Sequence, residues 1–333
     1  MKFPLIQNFI ESNCHRSRSR CGSDLGKEFR YRYFMNINIM LSNLKPHLWE
    51  MMADSVRFVA GALEECGITV RIGTSQLDVS AFNLFFDRFY VEPTFPNQMK
   101  IGNVKYGMVC TEVISPDGTW NYGAERDAPG TFSAFELAIK NAEFVWCVLE
   151  ESLEVCRAIN PNTVVLPFGY LEAMEPVRTS SAAMKDIDFL MCGLPSDRRK
   201  DLVGEISAMG YEVYYPEMPV PIYLRDSLLE RSKINLSLQK TKKHNTISVT
   251  RICHSIINKV PVLLEYSGPT NLYTDLCITA EVGEVAQKAD ECITQINLQK
   301  VAEESYQRLK SEVPMKVMMA EVLEATCQEL TAR

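Results

Sequence analysis

The sequence has no run of roughly 18 apolar residues, which excludes an ordinary membrane-spanning helix. Its opening apolar stretch, FPLIQNFI, is short, and no small-residue cleavage site follows it. The expected location is therefore cytoplasmic. Eleven cysteines are present, but they form neither CxxC pairs nor mixed Cys/His ligand spacings, so no metal centre is expected. Cys110, Cys147, Cys192 and Cys253 lie inside apolar runs and read as reduced, buried thiols. The glycine fingerprint GxGxxG is missing after the first strand, where the loop reads SNLKP, so an NAD or FAD site is not expected there. Positive charge is in the minority. The formal net charge of −7 argues against nucleic acid or an acidic membrane as the main partner.

What is present is an alternation of strands and helices over 333 residues, long enough for two domains. Residues 1–34, containing HRSRSRCGSDLGKEFRYRY, are basic and without period, and read as an extension ahead of the fold. MNINIML, a helix from about residue 48 to 66 and ITVRIG form a β-α-β unit. LDVSAFNLFFDRF reads as a buried strand or helix edge. VKYGMVCTEVI, EFVWCVL and TVVLPFGY continue a first domain over 35–175, with strands apolar enough to be covered on both faces. The polar stretch PVRTSSAAMK reads as a linker.

A second domain over 186–296 repeats the pattern with IDFLMCG, YEVYYP, INLSLQ, VPVLLEY and LCITA as strands. Residues 297–333 read as helices broken at Pro314, with packing back on the first domain as one arrangement.

The second half carries most of the candidate chemistry. Gly193 follows a strand and would let a ligand approach the backbone. Arg198 and Arg199 at the next helix start suit a diphosphate, although a surface basic pair beside Asp197 and Asp201 is as good a reading. Lys240, Lys242, Lys243 and His244 follow a strand end, and Asn245 or Thr246 is expected to cap the helix after it. Ser248 and Arg251 share a face of that helix. Glu265 ends the strand PVLLE and suits sugar hydroxyls or a salt bridge, for instance to Arg251. His254 sits in an apolar helix with no visible partner and reads as structural. In the first half, Glu112 at a strand end is the candidate base, with His47 and Asp117 on neighbouring loops as alternatives.

DIDFLMCGLPSDRRKDLVGEISAMGYEV, KINLSLQ with ISVTRICHSIINKVPVLLEY, and in the first half VCTEVI, NAEFVWCVLEESLEVC and VVLPFGY resemble the glycosyltransferase-like proteins related to the spore-maturation protein CgeB. The resemblance covers roughly residues 36–280. It implies a GT-B fold, two Rossmann-like domains with parallel sheets facing a central cleft. It further implies a nucleotide-sugar donor on the second domain, a hydroxyl acceptor (glycan, lipid-linked sugar or small molecule) on the first, and no obligatory metal or other cofactor. Carried over, Gly193, Arg198, Arg199, Arg251 and Glu265 belong to the donor side. One position departs: family members place a glutamate three residues before the helix arginine, and here it is Ser248. Two other readings stand beside the transferase: a non-catalytic nucleotide- or glycan-binding protein, and a phage-type transferase acting on DNA bases, for which only the basic arm speaks.

Overall fold

The computed structural model describes residues 36–41, 46–74, 76–86, 95–114, 131–175, 185–241 and 245–331. These divide into two compact units. One holds 36–175, 219–224 and 310–331, and the other 185–218 and 225–309.

The N-terminal unit is built on β1 (Asn36–Met40), β2 (Thr69–Gly73), β3 (Phe82–Phe86), β4 (Tyr106–Cys110), β5 (Phe144–Cys147) and β6 (Thr163–Val165). They form one parallel sheet in the order β2-β1-β3-β4-β5-β6. Its helices are α1 (Pro46–Glu65), α2 (Phe95–Ile101), α3 (Thr131–Lys140) and α4 (Glu150–Ile159).

Side chains alternate across the strands. Tyr106, Met108, Cys110, Val145 and Cys147 therefore point to one face, where they join Phe135 and Ile139 of α3 and Leu153 and Cys156 of α4 in one buried cluster. Phe144 and Trp146 point to the other. Trp146 is fully buried, and its indole N–H donates to Thr326 Oγ1 at 3.0 Å. Two layers of helices thus cover the sheet, which is why its strands read as nearly continuous apolar runs.

The C-terminal unit repeats the design with β7 (Ile187–Leu190), α5 (Asp197–Ala208), β8 (Val213–Tyr214), α6 (Ile222–Arg231), β9 (Ser232–Ser237), α7 (Val249–Ile257), β10 (Val262–Glu265), α8 (Leu272–Asp275), β11 (Ile278–Ala280), α9 (Val285–Thr294) and α10 (Leu298–Glu312). Its parallel order is β11-β10-β9-β7-β8. Ile234, Leu236, Leu263 and Phe189 pack with Ile206 of α5 and Ala289 of α9 on one face.

The last helix, α11 (Met315–Thr331), belongs to the N-terminal unit and packs on α1 and β6. Pro314 separates it from α10, at the position where the sequence places a break. Tyr170 fixes the join: its N–H donates to Val313 O at 2.8 Å, and its carbonyl accepts from Met315 N at 2.7 Å. Lys310 lies over the Tyr170 ring, 4.6 Å from its centroid.

Two α-helices were not expected from the sequence, α2 and the single turn α8. Pro96 is tolerated in the first turn of α2, where its missing N–H costs nothing, so the prolines there do not preclude a helix. β4 is shorter than VKYGMVCTEVI suggests. It stops at Cys110 because Ser152 Oγ donates to Glu112 O and accepts from Ile114 N, both at 2.8 Å, and this draws the chain off the sheet. Among the described residues no helix is long and apolar enough to cross a membrane. The arm at 1–34 and the linker core at 176–184 lie outside the described residues.

Gly169 explains the small residue in VVLPFGY. A Cβ there would lie 2.0 Å from the Val313 carbonyl oxygen, which is backbone and cannot swing aside. Gly204, inside α5, has open space around it. Gly169→Ala is expected to destabilise the protein by about 1–3 kcal/mol. Gly204→Ala is expected to stabilise it by about 0.5–1 kcal/mol. Urea unfolding of the two variants measures both, and equal effects would contradict the close approach at Val313.

Candidate functional site

In the C-terminal sheet the chain runs from β7 outward to β8, then returns to the other side of β7 as β9. The carboxyl ends of β7 and β9 therefore flank a topological switch point, where open parallel sheets bind ligands. The loop after β7 carries Gly193, and the loop after β9 carries Gln239 and Lys240.

Arg199 holds these two loops together. It is buried in the first turn of α5. Its Nη1 donates to Leu194 O at 2.8 Å, while Nε and Nη2 donate to Leu238 O at 3.1 and 2.7 Å. Ser196 caps the helix by accepting from Arg199 N at 3.3 Å, and its hydroxyl donates to Lys240 O at 3.2 Å.

Gly193 lies against the arginines. A Cβ at this position would meet Arg251 Nη2 at 2.9 Å and Arg199 Nη1 at 3.2 Å. A larger residue here would push against the ends of these two side chains. Tyr215, just past β8, donates to Leu194 O at 3.2 Å. Burial pushes its phenol up, against the opposing pull of Arg199 and Arg251. The structure thus brings Gly193, Arg199, Arg251 and Tyr215 together.

Arg198 and Glu265 make a different unit. Glu265 is fully buried at the end of β10. Its carboxylate accepts from both terminal nitrogens of Arg198, the Nη1 bond measuring 2.8 Å, and from Gln239 N at 2.9 Å. Arg198 also donates to Gln239 O at 2.8 Å. Arg198 therefore spends its guanidinium on a protein carboxylate, where the sequence suggested a diphosphate. Glu265 pairs with Arg198, and both of its buried oxygens accept hydrogen bonds from within the protein. These two residues shape the site from behind.

Gln239 was not visible as a functional position. Its Nε2 donates to Thr246 O at 2.8 Å and to Glu265 O at 3.0 Å, and its Oε1 accepts from Thr246 N at 3.2 Å. It joins the ends of β9 and β10 to the segment leading into α7. A buried glutamine after an apolar strand was the available signal.

The start of α7 also differs from expectation. Neither Asn245 nor Thr246 caps it, because the helix begins at Val249 with Ser248 in the cap position. Thr246 is tied to Gln239. Asn245 exchanges bonds with Ser267, its Nδ2 donating to Ser267 O at 2.9 Å and its Oδ1 accepting from Ser267 N at 3.2 Å. Ser248 makes no side-chain cap bond. Lys242, Lys243 and His244 lie outside the described residues.

His254 is buried on α7 and has a partner after all: its Nε2 lies 3.4 Å from Asp226 Oδ1 on α6. Burial pushes the Asp226 carboxyl up, but His254 and Arg225 outweigh it and hold the group down at about 2.

In the N-terminal unit Glu112 follows the end of β4, half-buried, with its carbonyl held by Ser152. Asp117 and the side chain of His47, which sits in the first turn of α1, lie outside the described residues.

No family model and no curated protein matches the chain. Solved structures do. The E. coli trehalose-6-phosphate structure bound with UDP-2-fluoro glucose matches with a TM-score of 0.56 at 9% identity, over 90% of this chain and 99% of its own. A T4 phage BGT mutant in complex with UDP-glucose matches with a TM-score of 0.50 at 10% identity, over 87% and 99%. A putative UDP-N-acetylglucosamine 2-epimerase from Listeria monocytogenes matches with a TM-score of 0.50 at 9% identity, over 90% and 97%. The chain has the GT-B fold. At these identities the likeness is one of fold, and the GT-B architecture agrees with the two parallel sheets described above.

The buried pair gives a direct test. Arg198→Met alone leaves the buried Glu265 without a counter-charge, with the Gln239 N–H still bonded to it, and is expected to cost about 3–5 kcal/mol. The double variant Arg198→Met with Glu265→Leu removes both charges and is expected to cost much less than the sum of the single variants. Additive costs in a double-mutant cycle would show that the two side chains do not interact.

Proposed function

We propose that the chain is a glycosyltransferase of the CgeB-related type that uses a nucleotide-sugar donor, with the donor diphosphate held at Gly193 beneath Arg251. The observation that carries this reading is the approach of Arg251 and Arg199 to Gly193 at the β7/β9 switch point. A glycine with no Cβ to shield it and arginines at its side suit a diphosphate oxygen. The N-terminus of α5, opening from the same loop, adds backbone N–H groups and a favourable dipole. As the bond to the anomeric carbon breaks, charge grows on the departing diphosphate, and these fixed donors stabilise it.

Arg251 Nη2 lies nearer the Gly193 Cβ position than Arg199 Nη1 does, 2.9 against 3.2 Å, and Arg251 is assigned the larger share of the donor contact. Because Ser248 and Glu265 both fail to offer a carboxylate, ribose recognition is assigned to backbone and neutral groups of the same loops. The acceptor hydroxyl is assigned to the N-terminal domain, with Glu112 as its base. The GT-B neighbours bound with UDP-2-fluoro glucose and with UDP-glucose support a nucleotide-sugar ligand.

Calorimetric titration with UDP, GDP and ADP tests the donor site. One nucleoside diphosphate is expected to bind, and Arg251→Ala to weaken it by about 10–100-fold, the loss of one charge-assisted hydrogen bond. Unchanged affinity would remove Arg251 from the site. With a donor and acceptor in hand, Glu112→Gln is expected to lower kcat by about 100-fold or more while leaving donor affinity intact. Donor binding without turnover across a panel of nucleotide sugars and acceptors would overturn the transferase reading in favour of a binding protein.

A further inference from the structure

We propose that Cys110, Cys147 and Cys156 form a three-thiolate site for a soft monovalent cation, Cu(I), within the N-terminal domain. The parallel register of β4 and β5 sets Cys110 directly beside Cys147. Strand alternation turns both toward the helices on that face, and α4 brings Cys156 to meet them. All three side chains are fully buried, and their sulfurs all lie within 4.8 Å of one another. Cys156 and Cys110 are 3.9 Å apart, sulfur to sulfur.

That spacing matters. Metal–thiolate bonds of about 2.3 Å in a trigonal arrangement hold the sulfurs about 4.0 Å apart. A disulfide needs them at about 2.0 Å. The cluster is thus spread for an ion and not closed into a bond.

The choice of ion follows from the ligands and their surroundings. Thiolates select soft cations such as Cu(I) and Zn(II). Zinc takes four ligands, the fourth being water where the protein supplies three. Here, among the described residues, no fourth histidine, cysteine or carboxylate joins the group, and the wall is apolar, with Met108, Val145 and Leu153 in the same cluster. Three sulfurs with no fourth ligand among the described residues suit three-coordinate Cu(I).

Other buried cysteines, such as Cys253 and Cys292, belong to no such group of three among the described residues. The thiols make weak bonds at present, Cys147 donating to Leu149 O at 3.1 Å and Cys110 to Glu112 O at 3.8 Å. The ion would replace their protons. The bonds formed are Cu–S, the bonds broken are S–H, the protons leave to solvent and no electron is transferred. Affinity therefore rises with pH.

The test is an anaerobic titration of the full chain with Cu(I) against a chromophoric copper chelator, followed by X-ray absorption on the loaded wild-type protein. The expected result is one tightly bound ion in wild type and in Cys292→Ser. Binding should weaken by about 100-fold or more in Cys147→Ser and Cys156→Ser, since thiolates and not hydroxyls hold the soft ion. The wild-type spectrum should show three sulfurs at about 2.3 Å. No binding to wild type, a first shell of oxygen, nitrogen or fewer sulfurs, or equal retention by both triad variants would each overturn the proposal. The spectrum is taken on wild type, so a variant that fails to fold does not shelter it.

Discussion

Glu265 has no exposed surface, and three donors from two other segments converge on it. The desolvation of a buried carboxylate is costly, and partners this close make the buried state tolerable. The consequence is geometric. Arg198 belongs to the first turn of α5, and Gln239 to the loop after β9. Binding both to the end of β10 fixes the helix N-terminus and the loop ends relative to the sheet. The whole carboxyl edge of the C-terminal domain depends on this anchoring.

Around that anchor the charges divide their tasks by burial. Arg198 neutralises Glu265. Arg199 is spent on Leu194 and Leu238 carbonyls, and so closes the switch point from below. Arg251, coming from α7, brings its guanidinium against Gly193, beside that of Arg199. An adjacent arginine pair in sequence thus works as two structural clamps, and the proposed ligand contact is assigned to an arginine more than fifty residues later. The Tyr215 hydroxyl and Gln239 complete the frame by bonding the same backbone segments.

The alternation of strands and helices was legible because parallel strands covered on both faces leave long apolar runs, and helices between them leave a different period. Gly193, Arg199 and Arg251 were legible as positions near one strand edge. Their roles were not, because a bidentate partner such as Glu265 for Arg198 is set by which strand ends lie side by side, and that order is a property of the sheet. The same holds for Gln239, whose three bonds all cross between segments. It holds most clearly for the cysteines. Spacings of 37 and 9 residues carry no ligand motif, yet the in-register pairing of β4 with β5 and the packing of α4 gather Cys110, Cys147 and Cys156 to one point. α2 was missed for a local reason, since prolines at a helix start look like the punctuation of a loop.

The GT-B fold by itself leaves the reaction open, since the matched folds include a putative 2-epimerase as well as a BGT bound to UDP-glucose. What this chain shows is an edge where Gly193 and Arg251 meet on the loop that opens α5. A diphosphate is the chemistry that such an edge satisfies best, because its oxygens accept from all three at once. The missing carboxylates then sharpen the argument. Ser248 is neutral and the Glu265 carboxylate is sealed against Arg198, so neither residue repels a diphosphate there. In the donor site proposed above, affinity rests on phosphate contacts more than on ribose contacts, so in the calorimetric titration a nucleoside lacking phosphates is expected to bind far more weakly than its diphosphate.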